Sequence, residues 1–345
     1  MSALISHPTS LSSLTQLPTF SFLPSYNTSL LSHITPSALH PPFYHTTRPN
    51  LLSSISDRYL SLSLPVLAYW SLSFIFLCVD EARLPYFEKR RIHDSPEMLA
   101  RNKATVKEVI RAVFVQHVLQ TILGLVWLED EATVLKREFY RDHLGDMAGL
   151  APKVATSVLV LLGKRTGGKI LEDHGEALVR WVYWWGIPSA QIFLGFVVID
   201  TYQYFMHRLF HTYHFLYRHI HSVHHRLYCP YAFGALYNHP LEGVLFDTLS
   251  AAIAHSLLGL SARQDILLFT FSTLKTVDDH SGYRLWWDPL QMIFANNADY
   301  HDIHHQGYGI KSNYSQPFFI HFDVLLGTRM TREDADRKAR PKKIE

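Results

Sequence analysis

The sequence predicts an all-α fold: a multi-pass transmembrane helical bundle with a cytosolic, histidine-rich helical cap holding a dimetal site. Three observations predict it. At 48% hydrophobic, 13% aromatic and only 18% charged residues, the 345-residue chain is too apolar for an ordinary soluble domain. Its apolar residues are gathered into runs, several near the ~20 residues needed to cross a hydrocarbon core of ~30 Å. A His-x-x-His-His pattern occurs twice, at His221, His224, His225 and at His301, His304, His305, after a His-x-x-x-His pair at His207 and His211. With 22 histidines in 345 residues, chance gives roughly 0.09 copies of the five-residue pattern per chain, so the chain is read first as a metalloprotein.

In chain order, residues 1–58 read as a flexible, lumen-side tail rich in Ser, Thr and Pro. Residues 1–47 contain no Lys, Arg, Asp or Glu, so neither a basic signal-peptide region nor an Arg-rich transit peptide is visible. Asn27-Thr28-Ser29 is a glycosylation sequon usable only in that orientation. Residues 59–199 read as transmembrane helices and connecting loops. The stretch 60–79 is uncharged despite Pro65, and 109–128 is broken only by Arg111 near one end, where a long side chain can snorkel. A third run, 182–199, opens with Trp181, Tyr183, Trp184 and Trp185 at the level where aromatic rings favour the interface. The short apolar piece 154–163 would change the count of crossings if embedded.

Residues 200–328 carry the histidine patterns and, between the second and third, the apolar runs 244–260 and 266–277. An odd number of crossings there would put the two patterns on opposite faces, so these runs must form an embedded helical hairpin, 244–277. Its second arm is too short to span comfortably and is expected to dip only partway. Residues 329–345 form a charged tail.

Orientation follows from charge. Arg83, Lys89, Arg90, Arg91, Arg101, Lys103 and Lys107 outnumber Glu81, Glu88, Asp94 and Glu97 between the first two runs, which places that loop, and the histidines two crossings later, in the cytosol. The terminal Lys342-Lys343-Ile344-Glu345 fits the dilysine address for retrieval to the endoplasmic reticulum.

Positions i, i+3 and i+4 share one helix face, so each His-x-x-His-His triplet is expected to point at one site, with His207 and His211 as a third wall. Eight imidazoles exceed what one ion accepts, since zinc usually closes at four, and two ions are the economical reading. Imidazole suits zinc, copper, iron and nickel alike. Arg208 stands where a zinc protease carries its glutamate base, and Cys78 and Cys229 are isolated, which excludes Cys-rich zinc sites, iron–sulfur frameworks and a disulfide scaffold. A neutral, histidine-only cage with open positions fits O2 activation better than a structural site. His7, His33, His40, His45, His93, His117, His143, His174 and His321 read as ordinary histidines. His214, His219 and His255 lie off the repeated spacing, while for His239 and His280, single residues beside turn formers, ligand and loop residue stay open on spacing alone.

The order of the three patterns among the apolar runs resembles the fatty acid hydroxylase superfamily of membrane di-iron enzymes. Residues 198–207 (VIDTYQYFMH), 271–283 (FSTLKTVDDHSGY) and 296–319 (NNADYHDIHHQGYGIKSNYSQPFF) are similar to the fungal sphingolipid C4-hydroxylases. The resemblance implies two iron ions (zinc as a possible substitute), O2, electrons from NAD(P)H through cytochrome b5 and its reductase, and hydroxylation at C4 of sphinganine or its N-acylated form. It implies His207, His211, His221, His224, His225, His301, His304 and His305 as metal ligands, with His280 and His239 added.

Asp200, Asp278, Asp279, Asp299 and Asp302 are the candidates for fixing imidazole tautomers from behind. Arg208, Arg218, Arg226 and Lys275 are expected to be exposed, meeting lipid phosphate in preference to an acidic electron donor. A net charge of +2 and the lack of any nucleic-acid signature argue against a polyanion partner. Two alternatives use the same residues: a sterol oxidase or desaturase of that superfamily, and a histidine-rich metal transporter, which would carry its ligands near the bilayer midplane.

Overall fold

The computed structural model describes residues 28–45 and 50–339. Among these the regular elements are helices, apart from two isolated bridges. Four helical stretches are long and apolar enough to cross a membrane: Asp57–Ala82, Val106–Trp127, His143–Thr212 and Pro240–Leu258. Their outward faces stay apolar, with Leu67, Phe74, Phe114, Val126, Phe193 and Leu257 exposed, as lipid-facing helices require. The all-α, multi-pass fold is therefore as expected. Asn27 and the Lys342-Lys343 pair lie outside the described residues.

The described chain divides into two compact units, residues 28–41 with 142–186, and residues 42–141 with 187–339. In the first, the helix Thr28–Ile34 packs against His143–Trp181 and buries Ile34 completely. Residues 28–34 of the expected 1–58 tail are thus helical and packed: an apolar Leu30, Leu31 and Ile34 face finds a partner that composition alone does not reveal. His143–Trp181 is two helices meeting at Gly163, whose φ of 75° is a left-handed conformation that a side chain disfavours. The arms share a core of Met147, Ala151, Ala155, Leu171 and Val179, and approach so closely that a Cβ on Gly167 would lie 2.9 Å from the Val158 carbonyl oxygen. The piece 154–163 is the end of the first arm. Within the stretch 59–199, residues 142–186 pack with the N-terminal helix while Asp57–Ala82 and Val106–Trp127 pack with the histidine region.

In the second unit, helix starts are fixed by local chemistry. Ser56 caps Asp57–Ala82, and Thr105 with Glu108 and Ser261 with Gln264 form capping boxes that satisfy orphan N–H groups at the starts of Val106–Trp127 and Ala262–Asp279. Two successive helical arms separate the second and third histidine patterns. They are Pro240–Leu258, interrupted by a π-helical turn at Val244–Thr248, and Ala262–Asp279, joined through Gly259 in the left-handed region. The second arm is longer than 266–277 because Ser261 caps it and Ala262 to Asp265 form its first turn. It carries buried Asp265, Lys275, Asp278 and Asp279, is not among the spanning stretches, and packs along Asp57–Ala82 and against Ile187–Thr212.

Lys275, expected to be exposed, is fully buried: it pairs with Asp279 and donates to the Asn296 carbonyl at 2.9 Å. Arg226 keeps its side chain 38% exposed while bonding Tyr237 Oη at 2.9 Å and the Lys103 carbonyl at 2.7 Å. The end of the described chain is not a free tail. Helix Arg332–Ala339 is anchored by Arg332, which bonds Asp299 at 3.0 Å and Asp302 at 2.9 Å.

Removing one partner of a buried ion pair leaves an uncompensated charge, at a cost of about 3–5 kcal/mol. Lys275→Met should therefore lower the melting temperature in detergent clearly, with Asp279 left unpaired; an unchanged melting temperature would show that the pair contributes nothing.

Candidate metal centre

The third histidine pattern sits on the helix Ala298–His305, capped by Asn297, and the second on the short 3-10 segment His221–Arg226. His207 and His211 lie in the C-terminal turns of Ile187–Thr212, and His280 ends Ala262–Asp279. The structure gathers these side chains into two groups: His207, His211, His221, His225 and His304, and His224, His280, His301 and His305. The groups are neighbours, with the rings of His225 and His305 4.8 Å apart.

Each triplet is split between the groups, which corrects the expectation of one site per triplet. On an α-helix, i+4 lies roughly 40° from i on one side and i+3 roughly 60° on the other, so i+3 and i+4 look about 100° apart. His301 and His305 accordingly share the four-histidine group while His304 reaches into the five-histidine one. The 3-10 segment does the reverse, sending His221 and His225 to the five and His224 to the four. Each group is completed by the other's triplet, so neither forms without both.

Tautomers are set from behind. The Nδ1 atoms of His207, His280, His304 and His305 bond the carbonyls of Tyr314, Thr276, Ser312 and Leu227 at 2.7–2.8 Å, and that of His224 bonds Tyr237 O at 3.2 Å. A carbonyl only accepts, so Nδ1 carries the proton and Nε2 presents a lone pair. His221 Nδ1 bonds the buried Glu242 carboxylate at 2.6 Å, with the same result. The Nε2 atoms of His207 and His221 then stand 3.1 Å apart with no hydrogen between them. Such facing lone pairs repel unless a cation lies between them, and donors ~2.0–2.1 Å from a shared ion are about this far apart. The donor set fits a pair of metal ions.

Burial keeps these rings neutral. It pushes His224 and His304 down to about 4 and His280 to about 3, and holds His221, His225, His301 and His305 well below the usual histidine range, with neighbouring imidazoles adding to the effect in those four.

His239 joins neither group: it caps the helix beginning at Pro240, its Nδ1 accepting from Leu241 N at 3.2 Å. None of the five candidate aspartates bonds a clustered histidine. Asp200 accepts from the main chain at Phe318 and Phe319, Asp278 from Gln291, and Asp279 from Lys275 and Asn296. Asp299 holds Arg332, and Asp302 holds Arg332, Gln306 and His93, the last at 2.7 Å. These carboxylates fix the loops that carry the ligands. Two residues escaped the sequence reading. Glu242, three positions after His239, bonds His221, and His93 braces Asp302 from the loop 83–105.

That loop lies against the histidine segments throughout. Arg101 bonds Gln306, Asn102 bonds Cys229, Lys103 N bonds Arg226 O and Ile92 N bonds Gly282 O, all within 2.7–2.9 Å. Two cavities adjoin the site. One is lined by His221, His224, His280 and His301 together with Glu242. The other, mainly apolar and the larger of the two, runs among Leu62, Pro65, Gly124, Leu236, Ala251 and Phe269. Gln203, Asp247, Thr276 and Pro317 line both.

The chain is 44% identical over 281 residues to sphingolipid C4-hydroxylase SUR2 of Saccharomyces cerevisiae, covering 81% of this chain and 74% of that protein. It belongs to the fatty acid hydroxylase family. The family model described as fatty acid hydroxylase matches residues 192–328, which contain every clustered histidine and Glu242. Other relatives are sphingolipid C4-hydroxylase sur2 of Schizosaccharomyces pombe, 40% identical over 82% of this chain and 92% of that one, and sphinganine C4-monooxygenase 1 of Arabidopsis thaliana, 38% identical over 84% and 96%. No solved structure matches the chain. Family membership agrees with two histidine-lined metal groups, while the slot walls on Asp57–Ala82 and Val106–Trp127 come from outside the matched region.

Loss of a hydrogen-bond partner behind a ligating histidine typically costs 10–100-fold in metal affinity. Glu242→Ala should weaken metal retention by about that factor in a chelator competition; retention equal to wild type would remove Glu242 from the site.

Proposed function

We propose that the chain inserts one oxygen atom of O2 at C4 of sphinganine or its N-acylated form, giving phytosphingosine or phytoceramide. The observation that carries this reading is a double histidine cluster at the end of an apolar slot, in a family member whose relatives bear the names of C4-hydroxylases. Per turnover, O2, two electrons and two protons are consumed, and the hydroxylated lipid and one water are released. The electrons come from NADH or NADPH through cytochrome b5 and its reductase. Two irons, one in each histidine group, would supply the O2 reduction and C–H oxidation that no side chain provides, with zinc able to occupy the same nitrogens after purification.

The protein's part is positioning and exclusion. Tyr314, Thr276, Ser312, Leu227 and Tyr237 hold five rings through their carbonyls, and Glu242 holds His221, so the nitrogens need no rearrangement to receive the ions. The apolar slot takes the hydrocarbon tail out of water, and where the tail stops in it decides which carbon lies beside the histidines.

Location in the membrane of the endoplasmic reticulum with the site facing the cytosol is supported by the packing of the basic loop 83–105 on the histidine segments. Any rule placing that loop in the cytosol places the clusters there too. The region 200–328, completed by that loop and by the two spans before it, is the hydroxylase portion.

The test is mass spectrometry of long-chain bases after expression in cells lacking phytosphingosine. Wild type should restore the 4-hydroxylated base, and His224→Ala should abolish it while the protein stays in the membrane fraction. Restoration by His224→Ala, or a hydroxylated sterol as the sole new product, would contradict the reading.

A further inference from the structure

The neck where the two cavities meet is rich in acceptors and lacks a cation. Asp247, on the π-helical turn Val244–Thr248, lines both cavities. Its Oδ2 accepts from Gln116 Nε2 at 2.8 Å and Gln120 Nε2 at 3.4 Å, and its Oδ1 receives no hydrogen bond among the described residues. One turn earlier, Glu242 is 2% exposed and lines the histidine-walled cavity; its Oε1 is taken by His221, and its Oε2 has no partner. Gln203, which also lines both cavities, spends its amide N–H on the Phe246 carbonyl and Ser250 Oγ, both at 3.2 Å, so its carbonyl oxygen is a further acceptor. On the slot side His117, 7% exposed, has an unpartnered Nδ1. No Lys or Arg lines either cavity.

A carboxylate on a cavity wall that only amides answer keeps an uncompensated charge, and an ammonium group seated against it neutralises that charge through a charge-assisted bond. We propose that Asp247 receives the protonated amine of a free sphingoid base and so sets a preference for the free base over its N-acylated form. This rests on the C4-hydroxylase reading and deepens it. The chemistry of the substrate fits the position: the amine on C2 is two carbons from C4, so the group that binds it must border the histidines, and the tail beyond C4 must enter an apolar space. Asp247 stands at that border. The hydroxyls on C1 and C3 are donors for the free acceptors of Glu242 and Gln203. N-acylation abolishes the charge, removes all but one N–H and adds a chain where the neck offers only acceptors.

The experiment uses membranes containing the full-length chain and measures kcat/KM for C4 hydroxylation of sphinganine, of N-acetylsphinganine and of the 1,3-diol analogue lacking the amine. A hydrogen bond to a charged group is worth ~1.5–3 kcal/mol, so wild type should favour sphinganine over both analogues by about tenfold or more. Asp247→Asn should collapse the ratio of sphinganine to N-acetylsphinganine by a similar factor, whatever its absolute activity. Wild type acting equally well on the acetylated base, or a ratio unchanged in Asp247→Asn, would overturn the assignment of Asp247 and leave the hydroxylase reading standing. Should the variant not accumulate, the comparison of the three substrates on wild type still decides. Hydroxylation of none of them by wild type would overturn the hydroxylase reading itself.

Discussion

Carbonyl groups from Tyr314, Thr276, Ser312, Leu227 and Tyr237 each take the Nδ1 proton of one histidine, and the Glu242 carboxylate takes that of His221. Everything at the site follows from this. A ring so held must present a bare Nε2, and the rings of four separate chain segments are brought side by side. Main-chain acceptors are a robust choice, because they move only if the loop moves. The aspartates of the region secure those loops instead: Asp302 ties His93, Gln306 and Arg332 together, and Asp200 pins the main chain at Phe318 and Phe319.

The membrane helices serve the same site from the other side. Tyr69 of the first span donates to the Phe233 carbonyl at 2.6 Å, and Asp80 near its end accepts from Tyr283 and Arg91. The spans therefore fix the loop 228–240 and the residues after His280 while leaving an apolar slot between them. The helical arm Ala262–Asp279 joins both functions, with its apolar residues Leu268 and Phe269 toward the helices and slot and its buried Lys275–Asp279 pair near the clusters.

The histidine spacing made the gathering of the eight pattern histidines legible, because i, i+4 pairs have little freedom over where they point, and the apolar runs made the spans legible. The division of each triplet was not, since it depends on where the partner triplet lies. The orienting groups were hidden for a related reason: a carbonyl leaves no mark in the residue type, so attention went to Asp200, Asp278, Asp279, Asp299 and Asp302. His239 misled because a helix-capping histidine before proline looks like an isolated ligand, while Glu242 looks like an ordinary acidic residue at a helix start. The residues after 28 hid their order because the complement of Ile34 is on a helix more than a hundred positions away.

Metal stoichiometry tests the central claim most directly. The full-length chain, purified without chelators and loaded anaerobically with ferrous iron, should hold two ions per chain, falling to one in His280→Ala because the five-histidine group keeps all of its nitrogens. A single ion per chain in the wild type, or none, would contradict two adjacent metal sites built from interleaved triplets.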